Sequence, residues 1–576
     1  MIIREIFLFL QLVFGSSWVE PNVKINIPKE ILESEKTFDR VELAKRIAAA
    51  RKAEKESNQA IGSQLSWEGL VAPMPGRHPV QDMFNTDTDE LDMENQDQLV
   101  DQLPDIKRFV HIDLAAGRPS VEYLKEVFAL LKEIGASGIF LEWEQTFPYG
   151  AEISFLSNPD RSYSRTELDE IIKNAKENKL EIIPLVDVCT NAEFATKHKP
   201  ELKISPTCFM DFHPLNESTT KFVKSLLSEI LQAHPLSSWI HIGCGLFKSI
   251  SRNILAKEIH ARNTTTTAVY LDYIEDVGKT IKMLAPNVRA LVWDDTLRNI
   301  NNEVLIAHKA PDYFDVVIKN ERFGGYLDAR ATLKLLNAHG KIFEGIWIAT
   351  SFKCGQDVLD PLPDIKRNAA QAEELFQAAR NAPEYANIIG FVLTGKSRYT
   401  HFAAMCSLLP ISLPSLVTSY KTTTRGAFTT SVLWESSRTL GFQGQIPTIN
   451  RPRPQAVIPG NFPGSEIWRS TLLLENVKGK IHSFLEGPNY NSFFNKHLVK
   501  TGRVSYYRLE TIVKELKSLK TEMKNVKDTL VVELLKIYND HVVNEWIVEQ
   551  IQKEEKQLVE KTSATSIYLE KMKKEL

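Results

Sequence analysis

Apolar runs bounded by turn residues recur along the middle of the chain: Phe109–Leu114, Gly138–Glu142, Glu181–Val186, Trp239–Gly243, Val288–Trp293, Phe314–Lys319, Ile346–Thr350 and Ile388–Thr394. Their length and unbroken hydrophobicity predict strands buried on both faces, as in a parallel sheet covered by helices. Most of the intervening stretches carry helical periodicity, for example VEYLKEVFALLKEIGA, TELDEIIKNAKENK, AVYLDYIEDVGKTIKMLA and DARATLKLLNAHG. Eight such units in roughly 300 residues match an α/β fold of the closed (β/α)8 TIM-barrel type better than an open doubly wound sheet. No G-x-G-x-x-G follows the first strand, which removes the usual dinucleotide-binding reading.

The flanks have a different texture. Arg4 precedes an apolar run from Ile6 to Phe14, followed by Gly15-Ser16-Ser17. That run is short for a bilayer span and fits a signal peptide or short anchor over residues 1–18. Residues 19–105 read as a charged helix followed by an acidic, proline-rich linker. The barrel is expected over 106–420. Beyond it, 421–576 holds a proline-rich connection (RPRPQAVIPGNFPGS) and Lys/Glu-rich stretches with apolar positions at helical spacing. A helical hairpin packed on the barrel, or against a protein partner, is the expectation there.

Composition narrows the classes. A chain of 576 residues is expected to form two or three units. A net charge of −3 gives no electrostatic reason to expect nucleic-acid binding. The five cysteines (Cys189, Cys208, Cys244, Cys354, Cys406) form no C-x-x-C pair and read as buried free thiols, with no metal and no cofactor expected. The sequons Asn216-Glu217-Ser218 and Asn263-Thr264-Thr265 agree with a secretory or extracellular location, a cytoplasmic one being the alternative. No other apolar run approaches membrane length.

In a (β/α)8 barrel the active site is built just past the carboxyl ends of the strands. Those positions hold Asp113, Glu142 and Glu144, Asp187 and Glu193, His241, Trp293-Asp294-Asp295, Lys319-Asn320 and Lys396-Ser397-Arg398-Tyr399. Each alone reads equally as a cap, a surface charge or a packing contact. Carboxylates and aromatic rings clustered at one mouth suit a sugar site, where acids bond hydroxyls and flat rings stack on pyranose faces.

The blocks RFVHIDLAAGRPSVEYLKEVF, GIFLEWEQTFPY, IIPLVDVCTNAEFATKH, WIHIGC, LVWDDTLR, IWIATSFK and GFVLTGKSRYTHFAAMCSLLP appear in order. The chain from 106 to 420 thereby resembles glycoside hydrolase family 20, the β-N-acetylhexosaminidases. The resemblance implies removal of terminal β-linked N-acetylglucosamine or N-acetylgalactosamine by a substrate-assisted route, with no metal and no enzyme nucleophile. The family's H-x-G-x-D-E motif implies an Asp that orients the acetamide and a Glu that protonates the leaving oxygen. Here His241, Gly243 and Cys244 match, but Gly245 and Leu246 stand in place of that pair, so no catalytic acid is intact. Asn191 replaces a His, Lys319-Asn320 replaces W-D, and Lys396 replaces a sugar-stacking Trp. The substrate-binding candidates retained are Asp113, Glu142, Glu144, Glu193, His241, Trp293, Asp294, Asp295, Arg398 and Tyr399.

Three readings follow. The first is a barrel that has lost or nearly lost hydrolysis and binds an N-acetylhexosamine-containing glycan or a protein. The second is a working glycosidase whose proton comes from Glu144, Asp187 or the Asp294–Asp295 pair. The third is a structural scaffold with the C-terminal helices as its contact surface.

Overall fold

The computed structural model describes Leu103 and residues 106–245, 254–319, 328–448 and 460–575, apart from Pro159, Cys354, Gln356 and Val358. The amino-terminal run, the charged helix and linker, Leu246, Asn320 and much of the proline-rich connection lie outside the described residues.

Eight strands form the barrel: β1 Lys107–Asp113, β2 Gly138–Glu142, β3 Glu181–Leu185, β4 Trp239–His241, β5 Arg289–Trp293, β6 Phe314–Lys319, β7 Ile346–Ser351 and β8 Ile388–Thr394. All pair in parallel with their sequence neighbours, and β8 closes on β1 through Lys107 opposite Gly390 and Val110 opposite Leu393. Every residue of β2 and of β7 is buried, which is why these strands read as continuous apolar runs. The lumen is filled by Phe109, Phe140, Leu185, Leu291, Trp293, Val317, Trp347 and Val392. Gly390 is required by this packing, because a Cβ there would lie 2.7 Å from the Trp347 ring.

Helices follow most strands: α1 Val121–Glu133, α2 Arg165–Glu177, α3 Glu217–Ala233, α4 Thr266–Leu284, α5 Ala329–Gly340, α6 Ile365–Arg380 and α7 Leu409–Arg425. Only short helical pieces, Leu297–Asn299, Asn302–Ala307 and Ala310–Tyr313, separate β5 from β6. Side chains cap the orphan amides at the starts of α1 to α6; Ser164 and Glu167 form a reciprocal capping box on α2. Asn216, first residue of one sequon, caps α3 by accepting from Ser218 N and donates through Nδ2 to Glu201 O. A small antiparallel hairpin, Lys203–Ser205 with Cys208–Phe212, rises from the segment after β3.

Three long helices complete the described chain: α8 Ser465–Glu486, α9 Tyr506–Leu535 and α10 Asp540–Glu575. The last two form an antiparallel hairpin, with Leu509 and Val513 of α9 buried against Leu569 of α10. The start of α10 docks on loops of the barrel mouth. Trp546 Nε1 donates to Cys406 O (2.9 Å), and Gln550 Nε2 donates to Met405 O (2.9 Å) and Leu359 O (3.1 Å). No described helix is long and apolar enough to cross a membrane.

Candidate functional site

Closure of β8 against β1, and of β1 against β2, brings three charged residues into contact at the mouth. Asp113 and Glu142 are register partners. His111 Nδ1 accepts the Gly395 amide at 3.2 Å, which leaves its proton on Nε2, 2.9 Å from Glu142 Oε2. The other oxygen of Glu142 accepts from Lys396 Nζ at 2.8 Å. Burial alone would raise the Glu142 pKa, but the Lys396 ammonium and the His111 bond hold its carboxyl well below the usual range. Burial would likewise depress Lys396, but Glu142, Asp187, Asp113 and Glu144 around it keep it firmly charged. Asp113 is fixed by the backbone amides of Ser397 (2.8 Å) and Ala116 (3.1 Å).

Glu144 is presented on a left-handed backbone, φ +37°, which is strained for a side chain of this type. His401 Nε2 faces Lys197 Nζ at 2.9 Å, and an ammonium can only donate, so the His401 proton is on Nδ1 and points to Glu144 Oε2 at 3.1 Å. Burial and the nearby Glu142 charge push Glu144 up to about 8. Burial does the same to Asp187 and Glu193, each raised to about 7, and with Lys197 it lowers His401 to about 4. Asp187 accepts from Asn191 Nδ2 at 2.9 Å. Its other oxygen explains Gly243, where the backbone has φ +69° and a Cβ would fall 1.6 Å from Asp187 Oδ1.

At the end of β4, His241 is fully buried. Its Nδ1 accepts the Gly243 amide at 2.9 Å and its ring lies 4.3 Å from that of Trp293. Burial holds its pKa well below the usual value, so it is neutral. Cys244 is joined to Cys189 in a disulfide, which corrects the expectation of free thiols at these two positions. The ends of β3 and β4 are neighbours in the barrel although the two cysteines are 55 residues apart in sequence. Neither Cys208 nor Cys406 is in a disulfide. A Cβ on Gly245 would meet Asp295 Oδ2 at 3.3 Å and Trp293 Cδ1 at 3.6 Å.

A small cleft, open to solvent, gathers Asp113, Glu142, Glu144, Asn191, Lys396, Arg398, Tyr399 and His401. Among the sequence candidates, Glu193, His241, Trp293 and Asp294 are buried. Asp294 is turned into a structural joint, paired with Arg298 and bonded to His339 Nε2 (3.3 Å) and the Lys319 amide (3.1 Å). Arg398 is drawn to Glu545 of α10 (2.5 Å) and to Ala403 O (2.7 Å). Sequence reasoning missed Lys197 and Lys353. The latter follows a barrel strand, and its buried ammonium donates to Ser397 Oγ at 2.7 Å and is lowered by burial to about 8.

Residues 127–313 match the catalytic domain of glycosyl hydrolase family 20. Human hexosaminidase D (Homo sapiens) is 27% identical over 450 residues, spanning 77% of this chain and 91% of the relative. The bovine protein of that name (Bos taurus) is 29% identical over 329 residues, spanning 56% and 94%. Over residues 127–313 the chain thus carries the catalytic-domain pattern of glycosyl hydrolase family 20, and it is hexosaminidase D-like in sequence. Among solved structures, a chitobiase from Flavobacterium johnsoniae aligns over 79% of this chain and 74% of its own at 14% identity and a TM-score of 0.44.

Two predictions follow from the mouth of this hexosaminidase D-like barrel. Non-reducing peptide mapping should recover a peptide pair linked through Cys189 and Cys244, and changing both to Ser should destabilise the fold by roughly 2–4 kcal/mol. Labelling of both thiols in the unfolded, unreduced chain would exclude the bridge. The second concerns pH. The folded chain holds the Glu144 proton up to about 8 against an ordinary 4.5, so its contribution to stability is complete below about 4.5 and is lost as pH rises through about 8. Asp187 and Glu193 act in the same direction. The buried histidines His234, His241 and His401, whose pKa values are lowered, oppose this trend up to about pH 6.5, so the melting temperature should fall from pH 6.5 to pH 8, and Glu144→Gln should make that fall shallower; an unchanged slope would remove Glu144 from this role.

Proposed function

We propose that this family 20 barrel binds an N-acetylhexosamine-containing glycan and does not hydrolyse it by the family's substrate-assisted route. The observation that carries the reading is the Lys396 ammonium, 2.8 Å from Glu142 and lining the cleft. The family pattern calls for a flat, uncharged indole at that position. Glycoside cleavage builds positive charge on the sugar, and a fixed cation lining the cleft raises the energy of that transition state. The missing acid pair points the same way. Neither Gly245 nor Leu246 can orient an acetamide or donate a proton, and a general acid alone contributes about 10²–10⁴-fold. The carboxylates that remain, with Asn191 and His401, still offer a polar cleft that suits sugar hydroxyls. The Cys189–Cys244 bridge supports passage through an oxidising compartment.

One observation favours a second reading. Glu144 lines the cleft and, raised to about 8, carries a proton at neutral pH, so a displaced acid would be this residue. Turnover of aryl N-acetyl-β-glucosaminide and galactosaminide separates the two. The proposal predicts release of the aryl group no faster than in buffer. Release above buffer that disappears in Glu144→Gln would establish the displaced-acid enzyme instead.

A further inference from the structure

The two acceptor sequons fold into different surroundings, and neither asparagine lines the cleft. In Asn216-Glu217-Ser218 both ends of the asparagine amide are occupied. Its Oδ1 accepts from Ser218 N at 2.9 Å, and its Nδ2 donates to Glu201 O at 2.8 Å. The first bond caps α3, and the second ties that cap to the turn Pro200–Leu202 ahead of the small hairpin. Asn216 is half-buried, so a sugar on Nδ2 would crowd that tie. Its side chain is already in use.

Asn263-Thr264-Thr265 is the opposite case. It forms the turn between the short helix Ala256–Ala261 and α4. Backbone bonds close that turn, from Asn263 N to His260 O (3.0 Å) and from Thr264 N to Ile259 O (3.2 Å). This is a Schellman arrangement with Asn263 at its left-handed position, φ +49°, which asparagine tolerates better than most residues. The backbone is therefore fixed while the residue itself is exposed, and its side chain makes no hydrogen bond among the described residues. Thr265 is exposed too, and its Oγ1 caps α4 by accepting from Ala268 N at 3.1 Å. No described bond has to break to admit a sugar at Asn263 Nδ2. A separate observation bears on the compartment. The Cys189–Cys244 bridge belongs to an oxidising one, and Tyr270 of α4 donates to Cys244 O at 3.1 Å, which ties the capped helix to that bridge.

We propose that Asn263 is a site of N-linked glycosylation and that Asn216 is not. In the transfer, Asn263 Nδ2 forms a bond to the anomeric carbon of the first sugar of a lipid-diphosphate-linked oligosaccharide. The bond from that carbon to the diphosphate oxygen breaks, and the lipid diphosphate leaves with the electron pair. The amide proton passes to a base of the cell's transferase. Transfer precedes folding, so the fold acts on the product. A chain modified at Asn263 keeps every bond described above, whereas one modified at Asn216 has a sugar against the Glu201 tie. The assignment does not depend on whether the cleft binds a glycan.

Mass spectrometry of the full chain, expressed in cultured animal cells, tests the assignment. Peptide N-glycosidase in heavy-oxygen water converts an asparagine that carried a glycan into labelled aspartate. The label should appear at Asn263 and not at Asn216. The same enzyme should increase the gel mobility of the parent chain, and Asn263→Gly, which suits the left-handed turn and removes the acceptor, should abolish that shift. Thr265→Ser keeps a hydroxyl for both the sequon and the α4 cap, so it should keep the shift. Absence of label at Asn263, label at Asn216, or a shift that survives Asn263→Gly would each overturn the assignment. Because the label is read on the parent chain, a variant that fails to fold does not decide the outcome.

Discussion

The mouth of this barrel depends on one ion pair, the half-buried ammonium of Lys396 against the buried carboxylate of Glu142, with the carboxyl groups of Asp113, Asp187 and Glu144 around it. Glu142 is almost wholly inside, with one oxygen on Lys396 and the other on His111. Removing Lys396 would leave the buried Glu142 carboxylate without its ammonium, which is destabilising. The pair therefore constrains how the neighbouring acids ionise. With Glu142 charged and Lys396 committed to it, burial and repulsion leave Glu144 protonated at neutral pH. Closure of β8 on β1 brings the ammonium to this position, so the charge network and the barrel topology are mutually dependent.

The same loop that delivers Lys396 continues into Arg398, Tyr399, His401 and Phe402. Its inner end is fixed by Asp113 through the Ser397 amide and by Lys353 through the Ser397 hydroxyl. Its outer end is fixed by Glu545, Trp546 and Gln550 of α10. The C-terminal hairpin thus contributes to the geometry of the mouth, although none of these three residues lines the cleft.

Much of the barrel was legible in the sequence because its strands are covered on both faces, and continuous runs such as Gly138–Glu142 and Ile346–Thr350 have few other solutions. The ring of strand-end residues was legible for the same topological reason. Side-chain direction was not. Asp294 and Asp295 are adjacent in sequence, yet Asp294 is locked to Arg298 and His339 while Asp295 flanks Gly245. Arg398 is drawn to a helix nearly 150 residues further on, which no local pattern announces. The Cys189–Cys244 bridge was missed because spacing along the chain says nothing about two strand ends becoming neighbours. Gly243 stood out as a motif residue, but its reason, the Asp187 carboxylate against its Cα, is a tertiary contact.

A double-mutant cycle on Lys396→Met and Glu142→Gln, read as unfolding free energy at pH 7, tests most directly whether this one pair governs the mouth. The account predicts that the two changes are strongly non-additive, with a coupling energy of at least about 1.5 kcal/mol. Additive effects would contradict it.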